Sequence, residues 1–272
     1  MRMNIQWSLV LFTVISGCGA WLFACVAIDE FRKSSSRLRF PASIIAVVLL
    51  ILGGIASATH LSHVERMLEV LNHPTEGIFL EALLLGLLAL DILVYVILFK
   101  RDAAPAVRKA LAVLGIALAA IFTFACGKSY MMASRPAWNT YALPLSYMGT
   151  AAASGTSLYL LLCAIFKVDD DDVKKAATYT IGGAVLAIVC VLAYGLVSGV
   201  AVGEQAILYW VGVVLVGCVV PGICGAVAYR RPKKALPMGV IALAGALVGS
   251  ISIRSVMWLA GTVIKDFFEV EI

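Results

Sequence analysis

Residues 78–99 read IFLEALLLGLLALDILVYVILF, a stretch that is apolar apart from Glu81 and Asp91. As a helix rising about 1.5 Å per residue, it extends about 33 Å, enough to cross a hydrocarbon core about 30 Å thick. It lacks the alternation of apolar and polar residues that is typical of membrane barrel strands. Because backbone amides at membrane depth must be satisfied within the chain, the stretch predicts a transmembrane helix.

The same pattern recurs along a chain that is 62% hydrophobic and 14% charged, with a mean hydropathy of +1.00. A soluble protein carries about 25% charged residues. Residues 8–28 are interpreted as a true span rather than a signal peptide, because no A-x-A cleavage site follows them. The sequence predicts an all-α integral membrane protein, with residues 1–272 forming one eight-helix transmembrane bundle. The other spans are predicted at 40–60, 109–131, 142–166, 176–198, 206–228 and 236–262.

The basic residues are distributed unevenly between the two sides of this bundle. Fifteen of the 21 Lys and Arg lie in the connectors that follow the first, third, fifth and seventh spans. The opposite side has five, and Arg254 lies within the last span. The positive-inside rule therefore predicts that both termini lie outside. The acidic run Asp169 to Asp172 lies in one of the basic connectors, where we expect a solvated turn.

Cysteine and histidine residues indicate which cofactors the chain itself binds. The seven cysteines lie within apolar spans and no pair has C-x-x-C spacing, so we expect packing residues and no iron–sulfur cluster. The three histidines, His60, His63 and His73, all lie in the connector between the second and third spans. A bis-histidine haem needs imidazoles from facing helices, so the sequence predicts no haem and no other metal.

Polar groups at membrane depth are functional candidates because they are costly there. His60 closes the second span and Glu81 opens the third, so the two are expected at a similar depth near the outer face. Together they form a candidate proton-accepting pair. Separately, His60 is equally an interfacial histidine with a solvated side chain, and Glu81 a carboxylate favoured at a helix N-terminus.

The connector after His60 has helical order of its own. Ser62 and Glu65 fit a capping box, and an apolar face follows at helical spacing up to Leu71. Residues 61–73 therefore predict a short amphipathic helix in the outer interface, which either covers a lateral opening or is a plain connector.

Further polar residues support an outer site. Arg135 and Trp138 lie in the outer connector between the fourth and fifth spans, although each is also typical of a membrane interface. Arg254 is expected nearer the outside and Asp91 nearer the inside, so Arg254 is the better partner for the outer cluster of His60 and Glu81. The inner half is expected to be nearly bare of polar groups.

Several of these residues also follow a known order and spacing. The fourth connector reads Arg135-Pro136-Ala137-Trp138-Asn139-Thr140 and is followed by Pro144 and Gly149-Thr150. A span ending in Ala58-Thr59-His60-Leu61 precedes Glu81, and Arg254 lies in the last span. Over its whole length the chain resembles the membrane anchor subunit of bacterial dimethyl sulfoxide reductase, in the anchor family of molybdenum-dependent oxidoreductase complexes. After His60-Leu61 it departs from the family pattern of Gly and Pro, with Ser62 and His63 in their place.

The resemblance implies a role in anaerobic respiration. Anchors of this family hold a molybdopterin catalytic subunit and a four-cluster iron–sulfur subunit on the outer face of the cytoplasmic (inner) membrane. They carry no haem, oxidise menaquinol near the outer surface and pass electrons to the nearest iron–sulfur cluster. By this likeness His60 and Glu81 are the quinol-site residues.

The resulting hypothesis is that His60 accepts a hydrogen bond from the quinol, that Glu81 takes a proton, and that Arg135, Trp138 and Arg254 position the headgroup or tune Glu81. Electrons and protons would leave on the same side, so turnover would be nearly electroneutral. One alternative is a small secondary transporter, although no internal repeat is evident and the Gly-rich parts of the last three spans are typical of close helix packing. Another is a related anchor coupled to proton translocation, for which Asp91 is the deep inner carboxylate.

Overall fold

The computed structural model describes residues 5–32, 37–59 and 77–261. Within these ranges the chain forms eight helices that are long and apolar enough to cross a membrane, and no strand. This confirms the predicted all-α, eight-helix class. The helices are α1 (Trp7–Asp29), α2 (Arg39–Ala58), α3 (Gly77–Lys100), α4 (Pro105–Lys128), α5 (Ala142–Ile165), α6 (Asp170–Ser198), a π-helix (Leu208–Val219) continued by α7 (Val220–Arg230), and α8 (Ala235–Ala260), which follows a 3-10 turn (Pro232–Lys234).

The acidic run at the start of α6 differs from its predicted form. Asp169 caps the helix, its side chain accepting a hydrogen bond from the Asp172 amide at 2.8 Å. Asp172 is itself buried and pairs with Lys175 at 2.8 Å. Asp169, Asp170 and Asp171 are exposed as expected, but the predicted turn is wrong: the run is the N-cap and first turn of a helix, where carboxylates are favoured by the helix dipole.

Helix α5 lies at the centre of the bundle, with α1, α4, α6 and α8 packed around it. Helices α2 and α3 lie at the periphery, and only 33% of the most apolar window of each is buried, against 72% for α5. The neighbouring helices can approach α5 closely because α5 is rich in small residues. At Gly155, for example, an added Cβ would lie 2.5 Å from the Cβ of Trp21 in α1. Close packing of this kind substitutes for a hydrophobic driving force within lipid.

The seventh span contains a feature that hydropathy does not reveal. Its first half is a π-helix, and the α-helical geometry returns beside Pro221, which has no amide N–H to donate. Gly217 in the π-helix meets Gly249 of α8 backbone to backbone, as the predicted close packing of the Gly-rich spans requires. A side chain at either position would separate the two helices.

The bundle has two chemically distinct ends. We call the end at which α3 and α5 begin and α4 and α8 finish the Glu81 end. The opposite end, which includes the four cation-rich connectors, is the basic end. Which of the two ends lies outside the membrane is a prediction from charge and not an observed property of the fold.

Candidate functional site

Glu81 lies one turn into α3, against the end of α4. The Ser129 hydroxyl, at the C-cap of α4, lies within hydrogen-bonding distance of the Glu81 carboxylate and of the Ala125 carbonyl oxygen. The close approach of the two helices depends on Gly77, where an added Cβ would lie 2.6 Å from the Ser129 Oγ. Glu81 is half-buried, and among the described residues the Ser129 hydroxyl is the polar group placed against it.

One predicted partner of Glu81 cannot be located in the structure. His60, the second half of the predicted proton-accepting pair, falls outside the described residues together with His63, His73 and the predicted helix at 61–73. The structure therefore leaves the His60–Glu81 pair as a prediction.

Four aromatic side chains meet at the Glu81 end, and we call Tyr130, Trp138, Tyr147 and Trp258 the aromatic cluster. Tyr130 is at its centre, with ring centroids 6.1 Å from Trp138, 5.9 Å from Tyr147 and 5.9 Å from Trp258. The two indole rings meet edge to face at 5.3 Å. Such edge-to-face geometry is favoured by the ring quadrupoles.

Tyr130 is the member of the aromatic cluster on which the charge of Glu81 acts most clearly. Burial raises the pKa of the Tyr130 phenol well above its ordinary value, and the neighbouring Tyr147, Glu81 and Cys126 act in the same direction. The phenol is therefore a neutral hydroxyl at physiological pH, able both to donate and to accept a hydrogen bond. Sequence reasoning singled out Trp138 but not Tyr130, Tyr147 or Trp258, whose only sequence signal is their position near span ends.

Trp138 is a buried structural residue rather than a residue of the membrane interface. Its side chain is 2% exposed, and its indole N–H donates to the Met257 carbonyl oxygen at 2.7 Å. The Arg135 guanidinium lies over the Trp138 ring, 4.2 Å from the ring centroid. The connector after α4 is thereby fastened to the end of α8, which brings both predicted connector residues into the aromatic cluster.

Arg254 is fully buried and joins three helices through neutral groups. Its Nε donates to the Thr13 Oγ1 at 2.6 Å, and its Nη1 donates to the Ser250 carbonyl and hydroxyl oxygens at 2.8 Å each. The guanidinium also lies over the Tyr147 ring at 4.1 Å. Among the described residues Arg254 forms no ion pair, so it does not pair with Glu81; its expected place beside His60 falls outside the described residues. It acts on the site by holding Tyr147.

Two hydrogen-bond donors in this region have no acceptor within the described chain. The Trp258 indole N–H is buried without a partner, although its ring contacts both Trp138 and Tyr130. The Arg135 Nη1 is likewise buried without a partner. Buried donors are paired in the great majority of cases, so these two mark a place where an acceptor is missing.

A cavity of about 590 Å³ also reaches the Glu81 end. Its lining includes Ala137, Leu259 and Ala260, which are sequence neighbours of Trp138 and Trp258, but it does not include Glu81. The cavity therefore does not open onto the Glu81 carboxylate.

The basic end contains a polar network that the sequence did not predict. Glu30 pairs with Arg39 at 2.6 Å and with Arg108 at 3.2 Å, and accepts a hydrogen bond from the Tyr95 hydroxyl at 2.8 Å. Asp29 accepts hydrogen bonds from the Tyr159 and Tyr179 hydroxyls. We call the set Asp29, Glu30, Arg39, Tyr95, Arg108, Tyr159 and Tyr179 the basic-end network. The expectation of a nearly bare inner half is wrong, because residues 29 and 30 look like connector residues but are buried.

Asp91 lies between the two ends and is 5% exposed. Within the described chain neither carboxylate oxygen has a hydrogen-bond partner. A Cβ added at Gly115 would lie 2.7 Å from the Asp91 Oδ2, so α4 passes directly over the carboxylate. Asp91 and Arg254 do not pair, in agreement with the different depths predicted for them.

A family model described as the DMSO reductase anchor subunit (DmsC) matches residues 2–258. No curated protein matches the chain.

Proposed function

Since this chain belongs to the family of DMSO reductase anchor subunits, we propose that it binds menaquinol at the Glu81 end and oxidises it. Membership of the family makes the chain a multi-pass membrane anchor of a DMSO reductase-type complex. The transporter alternative therefore has no support. The observation that carries the proposal is the half-buried Glu81 carboxylate beside Ser129 and the aromatic cluster, at one end of the bundle.

The chemistry requires a proton acceptor and an electron acceptor. Oxidation of a quinol to a quinone releases two protons and two electrons. Glu81 takes one proton from a quinol hydroxyl, and His60 accepts a hydrogen bond from the quinol and relays the second proton to water. The two electrons pass to a four-cluster iron–sulfur subunit, which transfers them to a molybdopterin catalytic subunit.

The flat aromatic residues suit a ring-shaped substrate. The partly buried Tyr130 ring offers a surface against which a naphthoquinol ring can pack. Trp138 is buried behind it, and the Arg135 and Arg254 guanidinium groups lie over the Trp138 and Tyr147 rings and hold them in place. The isoprenoid tail would extend into the bilayer. In this arrangement Arg135, Trp138 and Arg254 are positioning residues.

The location of the complex follows from the charge distribution. We propose that the chain lies in the cytoplasmic (inner) membrane with both termini and the Glu81 end outside, because the basic end contains 15 of the 21 Lys and Arg. The iron–sulfur and catalytic subunits then dock on the outer face. We further propose that the chain itself binds neither haem nor an iron–sulfur cluster, since its three histidines share one connector.

The proposal is tested with Glu81→Gln in the assembled complex. The amide keeps the size of the side chain but cannot take a proton, so we expect quinol-dependent reduction of the partner's iron–sulfur centres to fall about 100-fold or more, the scale of general-base catalysis. Oxidation of the same centres by the terminal acceptor should be unchanged. Full quinol-dependent reduction in this variant would overturn the proposal, and the same result in His60→Ala would remove His60 from it.

A second candidate, an anchor coupled to proton translocation, has one observation in its favour. Asp91 is a buried carboxylate without a hydrogen-bond partner among the described residues, and it lies ten residues beyond Glu81 on α3. The basic-end network then lies on the far side of Asp91. A measurement of membrane potential separates this candidate from the electroneutral one.

A further inference from the structure

The two tryptophans of the aromatic cluster differ in one respect. The Trp138 indole N–H is satisfied by the Met257 carbonyl oxygen. The Trp258 indole N–H has no acceptor in the described chain, although Trp258 is only 4% exposed. Both rings are held in place, because they pack edge to face against each other at 5.3 Å. The Trp138 N–H is therefore used within the fold, whereas the Trp258 N–H remains available to a ligand.

An indole nitrogen can only donate a hydrogen bond, and a buried indole N–H usually has a partner. The missing group is therefore an acceptor, such as a carbonyl or an anionic oxygen. A second donor without a partner, the Arg135 Nη1, belongs to a guanidinium that lies over the Trp138 ring at 4.2 Å. Two unsatisfied donors beside the same ring indicate a ligand that presents an oxygen here.

The position of Trp258 relative to Glu81 suggests which oxygen this is. The Trp258 ring contacts Tyr130 at 5.9 Å, and Tyr130 in turn interacts electrostatically with Glu81. Glu81 is an acceptor for hydroxyl protons, whereas Trp258 is a donor to oxygen. Tyr130 therefore has a proton acceptor, Glu81, and a hydrogen-bond donor, Trp258, in its surroundings.

We propose that the Trp258 indole N–H donates a hydrogen bond to the headgroup oxygen remote from Glu81. This inference rests on the proposed function, in which the headgroup is a 1,4-naphthoquinol. On oxidation the remote oxygen changes from a hydroxyl to a carbonyl, which is a pure acceptor, so the bond is stronger in the oxidised state. Trp258 is thus a binding residue that favours loss of electrons, while Glu81 removes a proton.

Trp258→Phe tests the proposal, because phenylalanine keeps an aromatic ring against Trp138 and Tyr130 but lacks the N–H. In the purified complex, with 2,3-dimethyl-1,4-naphthoquinol as donor, we expect the half-saturating quinol concentration to rise about 3- to 10-fold, the value of one hydrogen bond. The matched control is Trp210→Phe, since the Trp210 N–H donates to the Ala201 carbonyl oxygen in an exposed connector. The control should retain wild-type quinol kinetics.

Infrared difference spectra of the bound, ¹³C-carbonyl-labelled quinone give a readout that a purely structural role would not change. In the wild-type complex one carbonyl band should lie below its position in the free quinone. In Trp258→Phe that band should return toward the free position, and in Trp210→Phe it should stay shifted. A quinol concentration dependence and a carbonyl band that both match wild type in Trp258→Phe would overturn the proposal.

The test distinguishes failure of this inference from failure of the proposed function. If Trp258→Phe behaves as wild type while Glu81→Gln loses quinol oxidation, only the Trp258 assignment is wrong. If the wild-type complex gives no bound-quinone bands, the quinol site itself is wrong. If Trp258→Phe does not assemble, the wild-type spectrum still tests the inference. Two carbonyl bands at the positions of the free quinone would show that neither oxygen accepts a hydrogen bond, and the Trp258 assignment would be wrong.

Discussion

Arg254 is a buried cation whose charge is balanced by hydroxyl groups, carbonyl oxygens and an aromatic ring rather than by a carboxylate. Arginine suits this role because its planar fork can donate to Thr13 and Ser250 at once and still pack against Tyr147. Sequence reasoning correctly placed Arg254 at depth and toward the Glu81 end. It could not predict neutral partners, because Thr13 and Ser250 are common packing residues in membrane helices.

Asp91 and Glu30 are both buried acids, but they differ in their hydrogen-bond and ion-pair partners. Glu30 has two cations and a tyrosine hydroxyl around it, whereas Asp91 has no hydrogen-bond partner within the described ranges. Replacing one partner of a buried ion pair leaves the other charge uncompensated and costs about 3–5 kcal/mol. Replacing a carboxylate without a partner removes a desolvation cost instead.

We therefore expect Glu30→Gln to lower the free energy of unfolding by about 3–5 kcal/mol. Asp91→Asn, the matched change of acid to amide, should leave it unchanged or raise it. Thermal unfolding of the detergent-solubilised chain measures both. Equal losses in the two variants would contradict this account of the basic-end network.

At the scale of elements, the apolar pattern predicted the helices well and their ends less well. Helix α6 begins at Asp170 rather than at 176, because Asp169 caps it and the acidic first turn extends it beyond the apolar region. The capping residue is visible in the sequence, but a hydropathy window ends where the charges begin. The π-helix has no comparable signal in the sequence. Pro221 predicts a missing backbone hydrogen bond at that position, but it does not predict that the preceding residues form a π-helix.

The basic-end network and the aromatic cluster were missed for a different reason. Their members come from separate helices: Tyr95 and Tyr159 lie far along the chain from Glu30 and Asp29, the acids they contact. One sequence specifies which residues are polar but not which helices are neighbours. Trp138 illustrates the limit, because the same residue at a span end is typical of an exposed aromatic belt and here is buried by α8.

The crossing of the π-helix and α8 should be sensitive to a single methyl group. At Gly249 an added Cβ would overlap the Gly217 backbone, so Gly249→Ala should lower the free energy of unfolding by about 1–3 kcal/mol, as for other overpacked sites. Gly182→Ala is the matched control, because nothing lies within 4 Å of a Cβ at that position. The control should be neutral or stabilising by about 0.5–1 kcal/mol, since alanine is favoured in helices.

Thermal unfolding of both variants in the same detergent decides the point. If Gly249→Ala is as stable as Gly182→Ala, the backbone contact between the two helices is not a constraint on the fold. A loss in both variants would instead indicate that glycine stabilises these helices for a reason unrelated to this crossing.

At the scale of the whole molecule, the two polar clusters lie at opposite ends, and along α3 an apolar stretch separates Glu81 from Asp91. On the buried face of α3, Leu84 and Leu88 lie between Glu81 and Asp91. Ten residues of helix place the two acids about 15 Å apart along the axis, too far for direct proton transfer. Both leucines are buried, so this face offers no hydrogen-bonding group between the two acids.

This layering leads to a prediction for the intact complex. If the proton and the electrons both leave from the Glu81 end, no net charge crosses the membrane, and quinol oxidation by the complex in sealed vesicles should generate almost no membrane potential. A potential-sensitive dye measures this, with an ionophore-imposed potassium gradient as the calibration. Asp91→Asn should leave both the turnover rate and the absence of potential unchanged. A sizeable potential in wild type that disappears in Asp91→Asn would show that protons cross the leucine layer, and would favour the proton-translocating anchor over the electroneutral one.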